Sequence, residues 1–195
     1  MDAKRSTAEL LVGAASEEFR EHGFLGTDTN RIARRAGFAP QTFYRWFEDK
    51  TDIFIRVYED WQQQEAGILR KLMAEKASEA RLVQACVAHH KAFLIFRRSL
   101  RQLALEDDCV RDARAQSRLR QIEFINHLRA EPLEPARLAT VLLQVERLAD
   151  ALAEGELADM GLSVVPTQTL LADLIGELRN APATAAPPGP AGADR

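Results

Sequence analysis

The chain holds only two cysteines in 195 residues, Cys86 and Cys109, too few for a disulfide framework and suited to thiols kept reduced in the cytoplasm. It contains no run of about 18 apolar residues, so no membrane-spanning helix is expected. The opening Met1-Asp2-Ala3-Lys4-Arg5-Ser6 leads directly into an amphipathic pattern and lacks an apolar signal core. Alternating strand patterns and internal repeats are missing as well. So are a Gly-rich phosphate loop, a Gly-x-Ser-x-Gly elbow, a His-Glu-x-x-His pair and a Ser/His/Asp set in workable register. The expectation is a protein that is not an enzyme and needs no cofactor, with Glu106, Asp107 and Asp108 a solvated corner between helices.

Apolar residues make up 46% of the chain and charged residues 28%, an ordinary globular balance, in a length that suits one domain or two small ones. The net charge is −3. Against it stands one segment without acid, Thr29 to Phe47, which carries Arg31, Arg34, Arg35 and Arg45 for a local balance of +4. A basic segment in an acidic chain is a directed patch, and polyanions are its natural partners.

That segment reads as helix, tight turn, helix. Thr27 is placed to cap the first helix, with Ile32, Ala33 and Ala36 as its inward stripe. Gly37 stands where the helix must stop, because glycine enters the left-handed conformation without steric cost. Pro40 suits the first position of the next helix, having a fixed φ and no N–H to leave unpaired. Phe43 and Phe47 are one turn apart and face inward. Gln41, Thr42, Arg45 and Trp46 then face outward, with Tyr44 at the margin. A helix-turn-helix that lays its second helix in the DNA major groove needs this layout, amides and hydroxyls toward base edges and cations around them.

The same residues resemble the DNA-binding domain of the TetR family of bacterial transcriptional repressors. The match runs through Thr27, Ala33, Ala36-Gly37, Tyr44-Arg45-Trp46-Phe47 and Lys50, over roughly the first quarter of the chain. Ala39, Gln41 and Trp46 depart from it, where Ser, Gly and His are usual. The resemblance implies base contacts from Gln41, Thr42 and Arg45, and phosphate contacts from Thr27, Tyr44, Trp46 and Lys50. Lys50 also lies at a helix start, where a cation is unfavourable unless an anion is near. The bland reading of Gln41 and Thr42 is an exposed helix start.

The rest of the chain is helical by period. Ser6-Thr7-Ala8-Glu9 has capping-box spacing before Leu10, Leu11, Ala14, Ala15 and Phe19, and Gly23 closes that helix across the back of the pair. Lys4 and Arg5 are either a phosphate-touching arm or a solvated terminus. A long helix, capped by Asp49, runs through Ile53, Val57, Trp61 and Leu69 to about Lys76. Stripes follow at Val83, Cys86, Val87, His90, Phe93 and Leu94, then less regularly at Leu119, Ile122, Ile125 or Asn126, and Leu128. The most regular is Leu138, Val141, Leu142, Val145, Leu148, Ala149 and Leu152, opened by Glu134-Pro135 and closed by Gly155; Leu170, Leu171, Leu174 and Leu178 come last. The expected fold is all-α: a helix-turn-helix domain over 1–50 (motif about 28–47), a helical effector-binding and dimerisation domain over 51–180, and a disordered Ala/Pro/Gly tail over 181–195.

Cys86, His89 and His90 invite a metal reading, but no further ligand is placed nearby and no metal site is expected. The resemblance implies instead that this helix lines an effector pocket, with Cys86, His90 and Phe93 on its wall; plain packing is the alternative. It also implies that Val141, Val145, Leu148, Leu152, Leu171 and Leu174 form a homodimer interface, the alternative being closure of the monomer core. The function implied is a cytoplasmic, ligand-responsive homodimeric repressor on a palindromic operator, released by a small molecule yet to be identified. The rival is a helical ligand-binding or protein-interaction module whose three-helix N-terminus is only structural.

Overall fold

The computed structural model describes residues 6–129 and 131–179, and every regular element among them is an α-helix. Lys4, Arg5, the 181–195 tail and the Leu128 side chain lie outside the described residues. The order is α1 (Thr7–His22), α2 (Thr29–Arg35), α3 (Pro40–Phe43), α4 (Lys50–Ala74) and α5 (Glu79–Ala92), then α6 (Leu94–Glu106), α7 (Asp108–Leu128), α8 (Pro135–Glu154), α9 (Glu156–Asp159) and α10 (Val165–Arg179).

Local chemistry fixes the helix ends. The capping box is complete, since Ser6 Oγ accepts from the Glu9 N–H at 3.2 Å and the Glu9 carboxylate from the Ser6 N–H at 2.6 Å. Asp49 opens α4 by accepting from the Asp52 N–H at 2.8 Å. Asp107 caps α7 through the amides of Cys109 and Val110, so this acid at the expected solvated corner has a structural task. Glu134 caps α8 in the same way, and Gly155 ends it with φ 82°.

Three apolar clusters hold the helices together. The first joins Leu11, Ala15 and Phe19 of α1 to Ile32, Phe43, Phe54 and Trp61, and to Phe96 and Leu100 of α6. It crosses residue 50 without a break, so the N-terminal unit rests on α4 and α6 through continuous packing. The second gathers Leu82 and Cys86 of α5, Ala149 of α8, and Leu171 and Ile175 of α10. The third is Ile122, Leu138 and Leu142.

These clusters take up part of the expected dimer face inside the protomer. Val141, Leu171 and Leu174 are buried within the protomer, Leu171 completely, while Val145, Leu148 and Leu152 pack half-buried against the second cluster. A stripe as regular as that of α8 is explained by the core of its own chain, which it must cover first. Val165, at the start of α10, is 60% exposed, and the other large apolar side chains left outside on α8 and α10 are Leu143 and Leu170, at 56% and 50%. A shallow depression between them is edged by Thr140, Gln144, Arg147 and Leu148.

Candidate nucleic-acid interface and internal cavity

Asp28 rather than Thr27 caps α2, its Oδ1 accepting from the Arg31 N–H at 2.8 Å. Thr27 is buried and its hydroxyl donates to the Glu18 carbonyl at 3.3 Å, so the expected phosphate contact through that hydroxyl is corrected to a contact inside the fold. The turn before it is tight enough to demand glycine: a Cβ on Gly26 would lie 2.3 Å from the His22 carbonyl oxygen.

Between α2 and α3, Gly37 takes φ 81°. Its N–H reaches the Arg34 carbonyl at 3.0 Å, and the Phe38 N–H reaches the Ala33 carbonyl at 2.9 Å, the double bond of a glycine-terminated helix end. Ala39 opens α3 with no side-chain cap, and Pro40 takes the first helical position. Phe43 is buried and Phe47 half-buried behind it, their ring centroids 5.7 Å apart. Gln41, Tyr44, Arg45 and Trp46 are exposed and Thr42 half-exposed, as the periodicity required. The Tyr44 and Thr29 hydroxyls share a hydrogen bond of 2.9 Å, which ties the end of α3 to the start of α2.

The patch carries less free charge than its sequence suggests. Arg31 Nε donates to Glu18 at 3.1 Å, and Arg35 binds Glu18 at 2.8 Å and Glu21 at 2.6 Å. Glu18 and Glu21 come from α1, outside the acid-free segment, and only folding brings them alongside. Arg34 and Arg45 make no ion pair among the described residues. Lys50 requires a further correction. Its ammonium donates to the carbonyls of Phe24 at 2.8 Å and Thr27 at 2.9 Å and sits 4.0 Å from the Phe24 ring centre. Burial lowers its pKa, against the nearby charge of Asp28. Lys50 is thus a strut for the α1–α2 turn, not a cation standing free for a phosphate.

A cavity of about 810 Å³ opens between α4, α5, α7, α8 and α10. Leu69, Met73, Leu82, Val145, Ile175 and Leu178 give it apolar walls. Arg70, Arg129 and Arg179 line it toward the C-terminal end of α4, where Arg179 donates to the Ala77 carbonyl at 3.2 Å. Cys86 and His90 are on the wall; Phe93 is not. Phe93 forms the break between α5 and α6 and packs on His89 and Phe96, with centroids 5.2 and 6.4 Å away.

The other end of the cavity is ionic. His90 Nδ1 lies 2.8 Å from Asp150 Oδ1 and its Nε2 lies 3.0 Å from Glu65 Oε1. Arg97, buried against the Trp61 ring at 4.6 Å, donates to Asp150 at 2.9 and 3.1 Å and to Glu146 at 2.8 Å. Arg101 reaches Asp150 at 2.6 Å, and Arg114 and Arg118 reach Glu146. Burial alone would push these groups toward neutrality. Hydrogen bonds, and for Glu146 first the charges of Arg97, Arg118 and Arg114, outweigh it, so the Asp150, Glu65 and Glu146 carboxyls lie below their usual range and the His90 imidazole above its own. The Cys86 thiol is pushed well up, by burial and then by the Glu65 charge 3.5 Å away. Sequence reading missed this network because its members sit on five helices, with only Cys86 and His90 sharing an apolar stripe.

The metal reading changes shape as well. His89 turns away to the Trp61 carbonyl at 3.3 Å, and burial lowers its pKa. Glu65, from α4, takes the place the sequence left vacant: ligand atoms of Glu65, Cys86 and His90 all lie within 4.8 Å of one another.

Residues 11–57 match the family model for bacterial regulatory proteins of the tetR family. The fatty acid metabolism regulator protein of Bacillus subtilis (strain 168) is 28% identical over 94 residues, 48% of each chain. An uncharacterised HTH-type transcriptional regulator of the same organism, YdgC, is 31% identical over 65 residues, 33% of each chain. The chain thus spans about half the length, or less, of the curated relatives it matches. Among solved structures, a TetR-family transcriptional regulator from Rhodococcus sp. superposes with a TM-score of 0.65 at 15% identity, over 89% of this chain and 98% of that one. The fatty acid degradation regulator FadR from Bacillus halodurans gives 0.62 at 17% identity, over 92% and 100%. At such identities the structural likeness concerns the fold. With the motif of α2 and α3 in place, residues 11–57 carry the N-terminal domain of bacterial regulatory proteins of the tetR family, and the all-helical frame as a whole shares the fold of the similar structures.

Proposed function

We propose that the protein is a homodimeric repressor that binds a palindromic operator and is released by an amphipathic ligand with an acyl-like apolar part. The observation that carries this reading is the cavity, whose apolar walls lie between an ionic end and an arginine-lined end, built on the same α4 that supports the DNA-binding unit. Its volume falls within the roughly 300–1,000 Å³ of small-molecule sites. Two of the similar proteins are described as regulators of fatty acid metabolism or degradation, which directs the choice of ligand. An acyl chain would lie along Leu69, Met73, Leu82 and Val145, with an anionic head among Arg70, Arg129 and Arg179.

On the DNA side, Gln41, Thr42 and Arg45 read base edges while Tyr44, Trp46 and Arg34 hold backbone. Two copies of α3 meet successive major grooves about 34 Å apart when protomers pair through the Leu143 and Leu170 face. The ligand releases DNA because it binds better to the arrangement of the two units that cannot span a half-site pair, and it shifts the equilibrium only by that difference in affinity. No described helix is long and apolar enough to cross a membrane.

The test is to recover genomic fragments retained by the purified protein, then titrate the complex with free fatty acids and acyl thioesters of graded chain length. Release by one length class, weakened by Arg70→Ala, supports the reading. Retention of no sequence above background would favour the rival module.

A further inference from the structure

We propose that Glu65, Cys86 and His90 form a divalent-metal site at the ionic end of the cavity, suited to Zn²⁺. The proposal is independent of the DNA and acyl-ligand reading. Cys86 and His90 stand four residues apart on one face of α5, and Glu65 meets them from α4. Donor atoms sharing one tetrahedral zinc at ordinary bond lengths lie about 3.3–3.8 Å apart. Glu65 Oε1 is already 3.0 Å from His90 Nε2 and 3.5 Å from Cys86 Sγ, and all three ligand atoms fall within 4.8 Å. Closing the triangle needs only small side-chain rotations.

The support around the site is that of a metal centre. Asp150 holds His90 through Nδ1 at 2.8 Å, which fixes the ring and turns Nε2 toward Glu65 and Cys86. A histidine ligand whose other nitrogen is bonded to a carboxylate is the usual arrangement in such sites. Asp150 is in turn fixed by Arg97 at 2.9 and 3.1 Å. Cys86 and His90 are buried, yet both line the cavity, so a water or a donor atom of a cavity ligand can fill the fourth position. The mixed sulfur, nitrogen and oxygen set favours a borderline-soft ion such as Zn²⁺ over Mg²⁺ or Ca²⁺.

Binding replaces protons. One leaves the Cys86 thiol and one leaves the His90 Nε2–Glu65 hydrogen bond, while the metal takes the thiolate, the imidazole lone pair and the carboxylate. Both protons pass to solvent, so affinity falls as the pH is lowered.

The full chain, stripped with a chelator and dialysed, would be loaded with Zn²⁺ and separately with Co²⁺. The expected result is one tightly held Zn²⁺ per protomer and, for Co²⁺, a thiolate-to-metal charge-transfer band that Zn²⁺ displaces. Cys86→Ser abolishes the band, Cys109→Ser keeps it, and Glu65→Gln weakens Zn²⁺ binding at least tenfold. X-ray absorption on the Zn²⁺-loaded wild-type protein needs no variant: it shows one sulfur neighbour at about 2.3 Å among nitrogen and oxygen. No stoichiometric uptake, a shell without sulfur, or a cobalt band that survives Cys86→Ser would overturn the proposal.

Discussion

Replacing Asp150 by Asn leaves the shape of the side chain and removes its charge from the centre of the ionic network. Asp150 is 2% exposed and accepts hydrogen bonds from His90, Arg97 and Arg101 at 2.6–3.1 Å. Arg97 is 1% exposed and would keep only Glu146, leaving a buried guanidinium half-paired. Breaking a buried pair by removing one partner costs about 3–5 kcal/mol, against about 0–1 for an exposed one. For a chain of this size that is a fall in Tm of about 6–20 °C, at roughly 2–4 °C per kcal/mol. Urea unfolding followed by circular dichroism, at one fixed protein concentration, gives the value. The double variant Arg97→Met/Asp150→Leu should recover most of the loss, because it removes the stranded charge as well as its partner. An Asp150→Asn protein within 1 kcal/mol of wild type would refute the claim that this network is desolvated and coupled.

Lys50→Met should lower stability by about 1–3 kcal/mol, since two carbonyls of the α1–α2 turn lose their donor, and it should weaken DNA binding only through that turn. Thermal melts and operator titrations on the same samples separate these effects. Leu143→Glu and Leu170→Glu should yield folded monomers by light scattering, whereas Leu171→Glu, at a fully buried site, should fail to fold. Gln41→Ala should lose roughly 1–3 kcal/mol at the operator and relax preference at one base pair per half-site, with non-specific affinity unchanged, read by selection from randomised DNA. In the metal-free protein the pKa of His90 is raised, so the stability it contributes is complete below its unfolded value near 6.5 and is lost as the pH rises through its higher folded value. His89, lowered by burial, works in the opposite direction, so the comparison is of His90→Asn with wild type across pH 6–9; a stability difference that does not shrink toward alkaline pH would contradict the assignment.

The helix-turn-helix was legible because its constraints are local. Gly37, Pro40 and the Phe43–Phe47 pair act within a few residues, where φ limits and helical period decide the outcome. Thr27 and Lys50 were misread for the same reason. A hydroxyl and an ammonium beside a helix start look like phosphate ligands until the fold supplies the carbonyls of Glu18, Phe24 and Thr27. The +4 balance likewise ignored Glu18 and Glu21, which lie on another helix. Cys86 and His90 were found on their stripe, but Glu65, Arg97, Glu146 and Asp150 join them only through tertiary packing, which no period reveals. The dimer face shows the limit of amphipathicity: a regular stripe says that a face is covered and leaves open what covers it.

The central claim is that α3 and its surrounding cations hold DNA. It is tested most directly by the salt dependence of binding to a selected operator fragment. Each phosphate neutralised by a cation contributes about −0.9 to the slope of log affinity against log salt. Arg34 on each of two units makes the predicted slope about −2, and Arg34→Ala should bring it close to zero. A wild-type slope near zero on a fragment bound in sequence-specific fashion would contradict the account.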